Sequence, residues 1–484
     1  MPERLVETRE AYTSGQPLAR LAGFGPALVT LLLGLAVWAL FFPALMSGDS
    51  LAQYHEALSR RFTSWHPPLM AIVLSGVLAL GGGLGLLMLV QCLAGVFGVR
   101  ALAGACLDEL LGDRLSPGAR AWIPVAVLAL LLLPVSPLAF YLMTFWKDAW
   151  EMVTLLWLGT LSLRLVGSRD RPSVPLVAGV ILLGALCGLV RHNAMVALPF
   201  LGLFLGVELR RRKIRFAPAW VLAPLVAFLT LNTLLDRVFA VQDLSPEDWV
   251  LALDLAGVCA RDAEACSHLP FTRSQVRDMD GLRARYRPGD LGSVFWEEPT
   301  PMSFEMVTLA NRPAIRAEYR RALRERPLLL AKLKIVAFWR MLGTKRTSYF
   351  FQDSLPRNSV GLALNERFRR AREALVRGGH ASAEGPLRWI SGAHIVWLLA
   401  NVAWLLGLLA AAWRRRDSRF LSLAFLLMVP LGYSCSYLPA TPVPDFRFLY
   451  PSTLWIQCVT VALLLGLLRQ KPRGLAPKRA SVSE

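Results

Sequence analysis

Four charged residues, Asp49, Lys147, Arg191 and Arg447, stand at or just beyond the ends of long apolar runs, each in a different connecting segment. The first segment reads SGDSLAQYHEALSRRFTSWHPP and adds Tyr54, Glu56 and His66 to Asp49. A second, FYLMTFWKDAW, sets Asp148 after Lys147; a third is Arg191-His192-Asn193; the last, TPVPDFRFLYP, places Asp445 two residues before Arg447. Three cations brought to one spot suit a phosphate group. A carboxylate beside them suits a general base, which removes a proton as an acceptor attacks. The cations would then stabilise charge gathering on a departing phosphate.

Taken singly, each residue also has a plainer reading. Lys147, Arg191 and Arg447 could be snorkelling side chains, and Asp148 and Asp49 could cap helices. His66, before Pro67-Pro68, could be a satisfied turn histidine, and Trp65, Trp146 and Trp150 suit an interfacial aromatic belt. The case for a site rests on the set as a whole, so the elements that would position it decide the matter.

Those elements are helices in a bilayer. Of 484 residues, 55% are apolar, more than a soluble chain of this length can hide. A spanning helix needs about 20 mostly apolar residues, and ten such runs stand out, at about 21–46, 84–107, 121–141, 149–166, 174–190, 194–209, 216–235, 387–412, 420–438 and 448–468. The first is too long for a secretory apolar region of about 7–15 residues and reads as a retained helix. The segment 67–82 is apolar but short, starts at Pro67-Pro68 and runs into Gly81-Gly82-Gly83, so it reads as a half-helix on the membrane surface.

Charge supports that choice. With the N-terminus inside, the cytoplasmic segments hold 22 Lys/Arg and the short outer segments 5, as the positive-inside rule expects. Making 67–82 a span would put Arg210-Arg211-Arg212-Lys213 and Arg414-Arg415-Arg416 outside. The same bias works against cations in the outer loops, so Lys147, Arg191 and Arg447 call for a reason. The net charge of +19 does not indicate a nucleic-acid partner, because nothing resembles a helix-turn-helix, zinc-finger or aromatic RNA-binding module.

The predicted organisation is a cytoplasmic N-terminus (1–20), seven transmembrane helices (21–235) containing loop one (47–66), an extracytoplasmic insertion (236–386), three more helices (387–468) and a basic cytoplasmic tail (469–484). The insertion carries 24 Lys/Arg and 19 Asp/Glu, the balance of a soluble domain. Within it, PLLLAKLKIVAFWRML (327–342) reads either as an amphipathic helix on the membrane or as a buried core helix. Cys92, Cys106, Cys187, Cys435 and Cys458 fall in apolar spans and default to small hydrophobes. Cys259 and Cys266 alone fall in the insertion, where an oxidising compartment would favour a disulfide over two buried thiols. No zinc-type clustering of Cys and His is present.

At these residues the chain resembles the GT-C superfamily of integral membrane glycosyltransferases, which includes protein O-mannosyltransferases and lipid A aminoarabinose transferases. The resemblance rests on Asp49 in the first outer loop, His66-Pro67-Pro68-Leu69 leading into a surface helix, RHNAMVALP at 191–199 and PDFRFLYP at 444–451. It covers residues 20–235 and 387–468 in outline and the insertion only in position and size. Many relatives have two adjacent acids in loop one, whereas Ser50 follows Asp49 here.

The resemblance implies an all-α polytopic membrane protein of about ten transmembrane helices in a bacterial inner membrane. Its site would be periplasmic, both termini cytoplasmic, and a mainly α domain would lie between helices seven and eight. It implies inverting sugar transfer from a polyprenyl-phosphate donor to a glycan, lipid or protein acceptor. Asp49 would be the base; Lys147, Arg191 and Arg447 would hold the donor phosphate; Tyr54, Glu56, His66, Asp148, His192 and Asp445 would line the substrate. No cofactor is then required; if a divalent metal takes part, Asp49 and Glu56 are its expected ligands. Other lipid-linked transferases and polysaccharide ligases share this chemistry. A transporter or flippase fits less well, since the chain lacks an internal repeat and Arg100 is the only basic residue within the spans away from their ends.

Overall fold

The computed structural model describes residues 16–168, 172–214, 217–344, 351–441 and 443–470. Most of the predicted N-terminal segment (1–20) and nearly all of the basic tail (469–484) lie outside them. The described residues form helices and turns, with β-bridges only in isolation.

In chain order the longer helices begin with α1 (Gln16–Phe41), α2 (Gly48–Ser59), α3 (Leu69–Ala79), α4 (Leu84–Leu110) and α5 (Pro117–Leu132). They continue with α6 (Lys147–Gly167), α7 (Val174–Val190), α8 (Leu198–Arg211) and α9 (Ala217–Val238). The insertion contributes α10 (Pro246–Arg261), α11 (Arg312–Glu325), α12 (Pro327–Trp339) and α13 (Arg369–Glu384). The chain then returns through α14 (His394–Arg415), α15 (Ser418–Cys435) and α16 (Tyr450–Leu468). Eight segments among the described residues are long and apolar enough to cross a membrane: α1 from Phe24, α4, α6, His192–Arg211 (α8 with the 3₁₀ turn before it), α9 from Ala219, α14, α15 and α16. The chain is thus an all-α polytopic protein.

Two of the ten predicted spans are shorter. Helix α7 has 17 residues and α5 has 16, about 24–26 Å at 1.5 Å per residue against a hydrocarbon core of about 30 Å. The predicted run 121–141 is not continuous. Helix α5 stops at Leu132, and after Pro134 and Pro137 a separate helix, Leu138–Met143, turns inward with all six side chains buried. Proline removes a backbone donor and collides with the preceding turn, which hydropathy alone does not register. The predicted first span likewise ends at Phe41, before Pro43, and Leu45 leaves it extended, its N–H bonded to Met143 O (2.8 Å) and its carbonyl to Phe145 N (3.0 Å). Segment 67–82 contains the 11-residue α3, which buries Met70, Ala71, Leu74 and Ser75.

Helix α4 is the hub, packed on α1, α5, α6 and α16. In lipid, helix association relies on close fit more than on exclusion of water. Gly202 of α8 shows the tolerance: a Cβ there would collide with the Val221 carbonyl of α9.

The insertion is not one unit. Residues 246–333 build their own core from Trp249, Leu253, Leu282, Phe295, Ile315 and Leu333, among others. The later part packs back on the bundle: Phe351 stacks on Phe140 at 4.0 Å, and Asn365 N–H bonds Phe42 O at 2.9 Å. Helix α12 has Leu330, Leu333 and Ala337 buried and Leu328, Ile335 and Trp339 exposed. Cys259 and Cys266 are joined by a disulfide.

Candidate functional site

Local chemistry sets the position of each polar side chain. Ser47 caps α2 in a reciprocal box with Ser50, so Asp49 is not used as the cap and projects from the first turn. Trp146 Nε1 donates to Ser47 Oγ at 2.8 Å, fixing that turn against the start of α6. Lys147 and Asp148 are the first two residues of α6. Arg191 ends α7 in an extended conformation. Asp445 caps the short turn Phe446–Phe448 that carries Arg447.

These four segments meet. Arg447 Nη2 lies 2.9 Å from Asp49 Oδ2, and its Nε lies 2.9 Å from Asp445 Oδ2. Lys147 Nζ donates to His66 Nδ1 at 2.8 Å, and His66 Nε2 faces Asp49 Oδ1 at 3.9 Å. Beneath them Arg191 pairs with Asp148 and donates to the Tyr437 hydroxyl. The Arg191 guanidinium lies 4.5 Å above the Phe448 ring, and that of Arg447 lies 5.0 Å from the Trp146 ring centre. Both are cation–π distances.

Exposure separates the cluster into two layers. The Asp49 side chain is 37% exposed and that of Arg447 17%, whereas Asp148 is 0% and Arg191 7% exposed. The upper layer can meet a ligand. The lower Asp148–Arg191 pair is mutually neutralised, which departs from the expectation that Arg191 is available to a phosphate and Asp148 to substrate.

Electrostatics follow from that packing. Burial acts to raise the Asp49 carboxyl, but the charge and hydrogen bond of Arg447, with the charge of Lys147, outweigh it and hold it at about 2. Burial pushes Asp445 up to about 6 against the pull of Arg447. His66 is held well below its usual value, first by burial and then by Lys147. It is therefore neutral, which suits it to accept from the lysine.

The remaining predicted residues fall around this centre. Tyr54 is buried in the bundle core and Glu56 accepts from Thr63 Oγ1 at 2.6 Å; burial raises the Glu56 carboxyl. Asp49 and Glu56 thus have separate partners, and no group of three or more potential metal ligands occurs among the described residues. His192 begins the 3₁₀ turn after Arg191 and feels the charges of Lys147 and Arg191. Trp146 is only 2% exposed, so it is an internal wall of the site and not a belt residue. Trp65 packs edge-on against Trp249 with ring centres 5.9 Å apart, tying the insertion to the loop that holds His66. Backbone bonds from Ser64 N to Gln242 O (2.8 Å) and Gln242 N to Phe62 O (2.9 Å) reinforce this joint.

Sequence reasoning missed Tyr437 and Phe448, which flank Arg191 in parallel stacking with ring centres 5.5 Å apart. The signal available was the polar-aromatic string YSCSY at 433–437, at the end of an apolar run. No family model, curated protein or solved structure matches the chain.

Proposed function

We propose that the chain is an inverting membrane glycosyltransferase that moves a sugar from a polyprenyl-phosphate donor to an acceptor in the cell envelope. The observation that carries this reading is the meeting of Asp49, Lys147 and Arg447 from three distant segments at one end of the helix bundle. The order of the motifs along the chain, similar to that of the GT-C superfamily, supports it. In this reading an acceptor hydroxyl attacks the anomeric carbon while Asp49 takes its proton. The bond from that carbon to the phosphate oxygen breaks, and the departing phosphate carries the charge.

Arg447 links the two events. At rest it lies between Asp49 and Asp445. An arriving phosphate competes for its guanidinium, and Asp49, losing that partner, becomes a stronger base. Lys147, largely buried beside the cluster, supplies the second cation. A divalent metal is not needed for this charge balance.

The accompanying topology has ten spans in a bacterial inner membrane, with α5 and α7 as the two short ones, both termini cytoplasmic and Asp49 on the periplasmic side. A cysteine at exposed Ser274 is then expected to react with an impermeant maleimide in intact spheroplasts. One at exposed Ser418, the first residue of α15, should react only after lysis. Labelling at Ser418 in intact spheroplasts would reverse the orientation.

The activity test uses undecaprenyl-phosphate carrying an isotope-labelled sugar, in membranes containing or lacking the protein. Label should pass to envelope material only when the protein is present. Label that changes leaflet but stays on the polyprenyl lipid would mean a flippase and sink the transferase reading.

A further inference from the structure

The opposite end of the bundle holds a cavity of about 1370 Å³. Lys147 and Gly167 begin and end α6, whose 21 residues span about 30 Å; the first belongs to the site above, and the second lines this cavity. Six arginines line it: Arg100, Arg120, Arg164, Arg211, Arg212 and Arg419. Among the described residues, the carboxylates in its wall are Asp108 and Glu109. Some of the positive charge is met internally. Arg419 pairs with Glu109 at 2.5 Å, and Arg211 and Arg212 share the fully buried Glu208 at 2.7 and 2.5 Å.

Arg100 is different. It lies within α4, ten residues before the helix ends at Leu110, about 15 Å along the axis. Its side chain is half-buried and makes no hydrogen bond or ion pair with the described residues. Nor does that of Arg164, which is exposed at the cavity edge. An arginine at membrane depth is costly and is retained where it faces a cavity or a partner. Here it faces the cavity, with no partner among the described residues.

A second, apolar crevice of about 200 Å³ adjoins the first and shares Leu110, Leu111 and Leu163 with it. Its far wall includes Trp404 and Leu408 of α14, the least enclosed spanning helix, with 6% of its apolar window buried. An arginine-lined chamber adjoining an apolar slot beside a lipid-facing helix matches one kind of ligand: a phosphate joined to a hydrocarbon chain.

We propose that this cavity binds the phosphate headgroup of a lipid from the leaflet opposite Asp49, with Arg100 and Arg164 on the phosphate and an acyl chain in the crevice. A free phosphate would satisfy the arginines equally well; the crevice favours the lipid. The assignment does not depend on which group is transferred at the Asp49 face.

Native mass spectrometry of the full-length protein in detergent, titrated with dioleoyl phosphatidic acid or dioleoyl phosphatidylcholine, tests this. Phosphatidic acid should be retained about tenfold more tightly. Arg100→Gln with Arg164→Gln should remove that preference, while Arg210→Gln, an exposed arginine of the same face outside the cavity wall, should keep it. Equal retention of the two lipids, or an undiminished preference in the folded double variant, would overturn the proposal. Displacement of phosphatidic acid by equimolar inorganic phosphate would also overturn it, by assigning the site to the free anion. If the double variant does not fold, exposed Arg164→Gln alone carries the test: about a threefold loss supports the site and no loss rejects it.

Discussion

Asp49→Asn is expected to lower sugar transfer by roughly 10²–10⁴-fold while leaving donor affinity within a few-fold of wild type. The substitution keeps the shape of the side chain but removes its capacity to take a proton. The fold should tolerate it, because Ser47, not Asp49, caps α2 and Arg447 retains Asp445. Transfer at the wild-type rate by a normally inserted Asp49→Asn protein would sink the base assignment. The same assay has a pH signature. Asp49, held at about 2, stays ionised through the working range. Asp445, raised to about 6, is the carboxylate that takes a proton there. As pH falls through about 6, Arg447 loses one of its two counter-charges and becomes more available to the donor. The donor KM should therefore fall on acidification, and Asp445→Asn should lessen that change. An unchanged profile in Asp445→Asn would place the titration elsewhere.

Asp148→Ala is expected to destabilise the protein by about 3–5 kcal/mol, because it leaves Arg191 as an uncompensated buried charge. Arg191→Ala should cost a similar amount from the other side, stranding a carboxylate that is 0% exposed. Removing both charges, as Asp148→Ala with Arg191→Ala, should cost much less than the two single losses added together, because each single change mainly exposes its partner. Thermal unfolding in detergent across this cycle measures the coupling. The alternative for Arg191 is direct contact with the donor phosphate. That role predicts lost donor affinity at unchanged stability, so a stable Arg191→Ala protein with a raised donor KM would reject the structural assignment. Tyr437→Phe provides a smaller check, removing one acceptor from Arg191 while keeping the aromatic wall.

Much of the architecture was legible in the residues themselves. Whether a run such as 84–107 crosses a bilayer depends on the summed transfer free energy of its own side chains, and the sidedness of Arg210–Lys213 or Arg414–Arg416 depends on charges close to the helix ends. Both are local properties, and they place Asp49, Lys147 and Arg447 at one end of the bundle before any coordinate is known. Local too is the half-length of 67–82, where paired prolines and a glycine triplet bound an 11-residue helix.

Tertiary structure decided which charge meets which. Arg191 and Arg447 are alike in the sequence: each is a lone arginine in a short segment at the end of an apolar run. Only packing buries Arg191 against Asp148, Tyr437 and Phe448 while leaving Arg447 between Asp49 and Asp445 in the accessible layer. It also folds Leu138–Met143 into the core, although hydropathy continues unbroken across Pro134 and Pro137. The reason is range. Hydropathy and positive-inside bias are sums over neighbours in sequence. Ion pairing in a low-dielectric interior depends on distances of a few ångströms between segments from opposite ends of the chain, and on how much water their surroundings exclude.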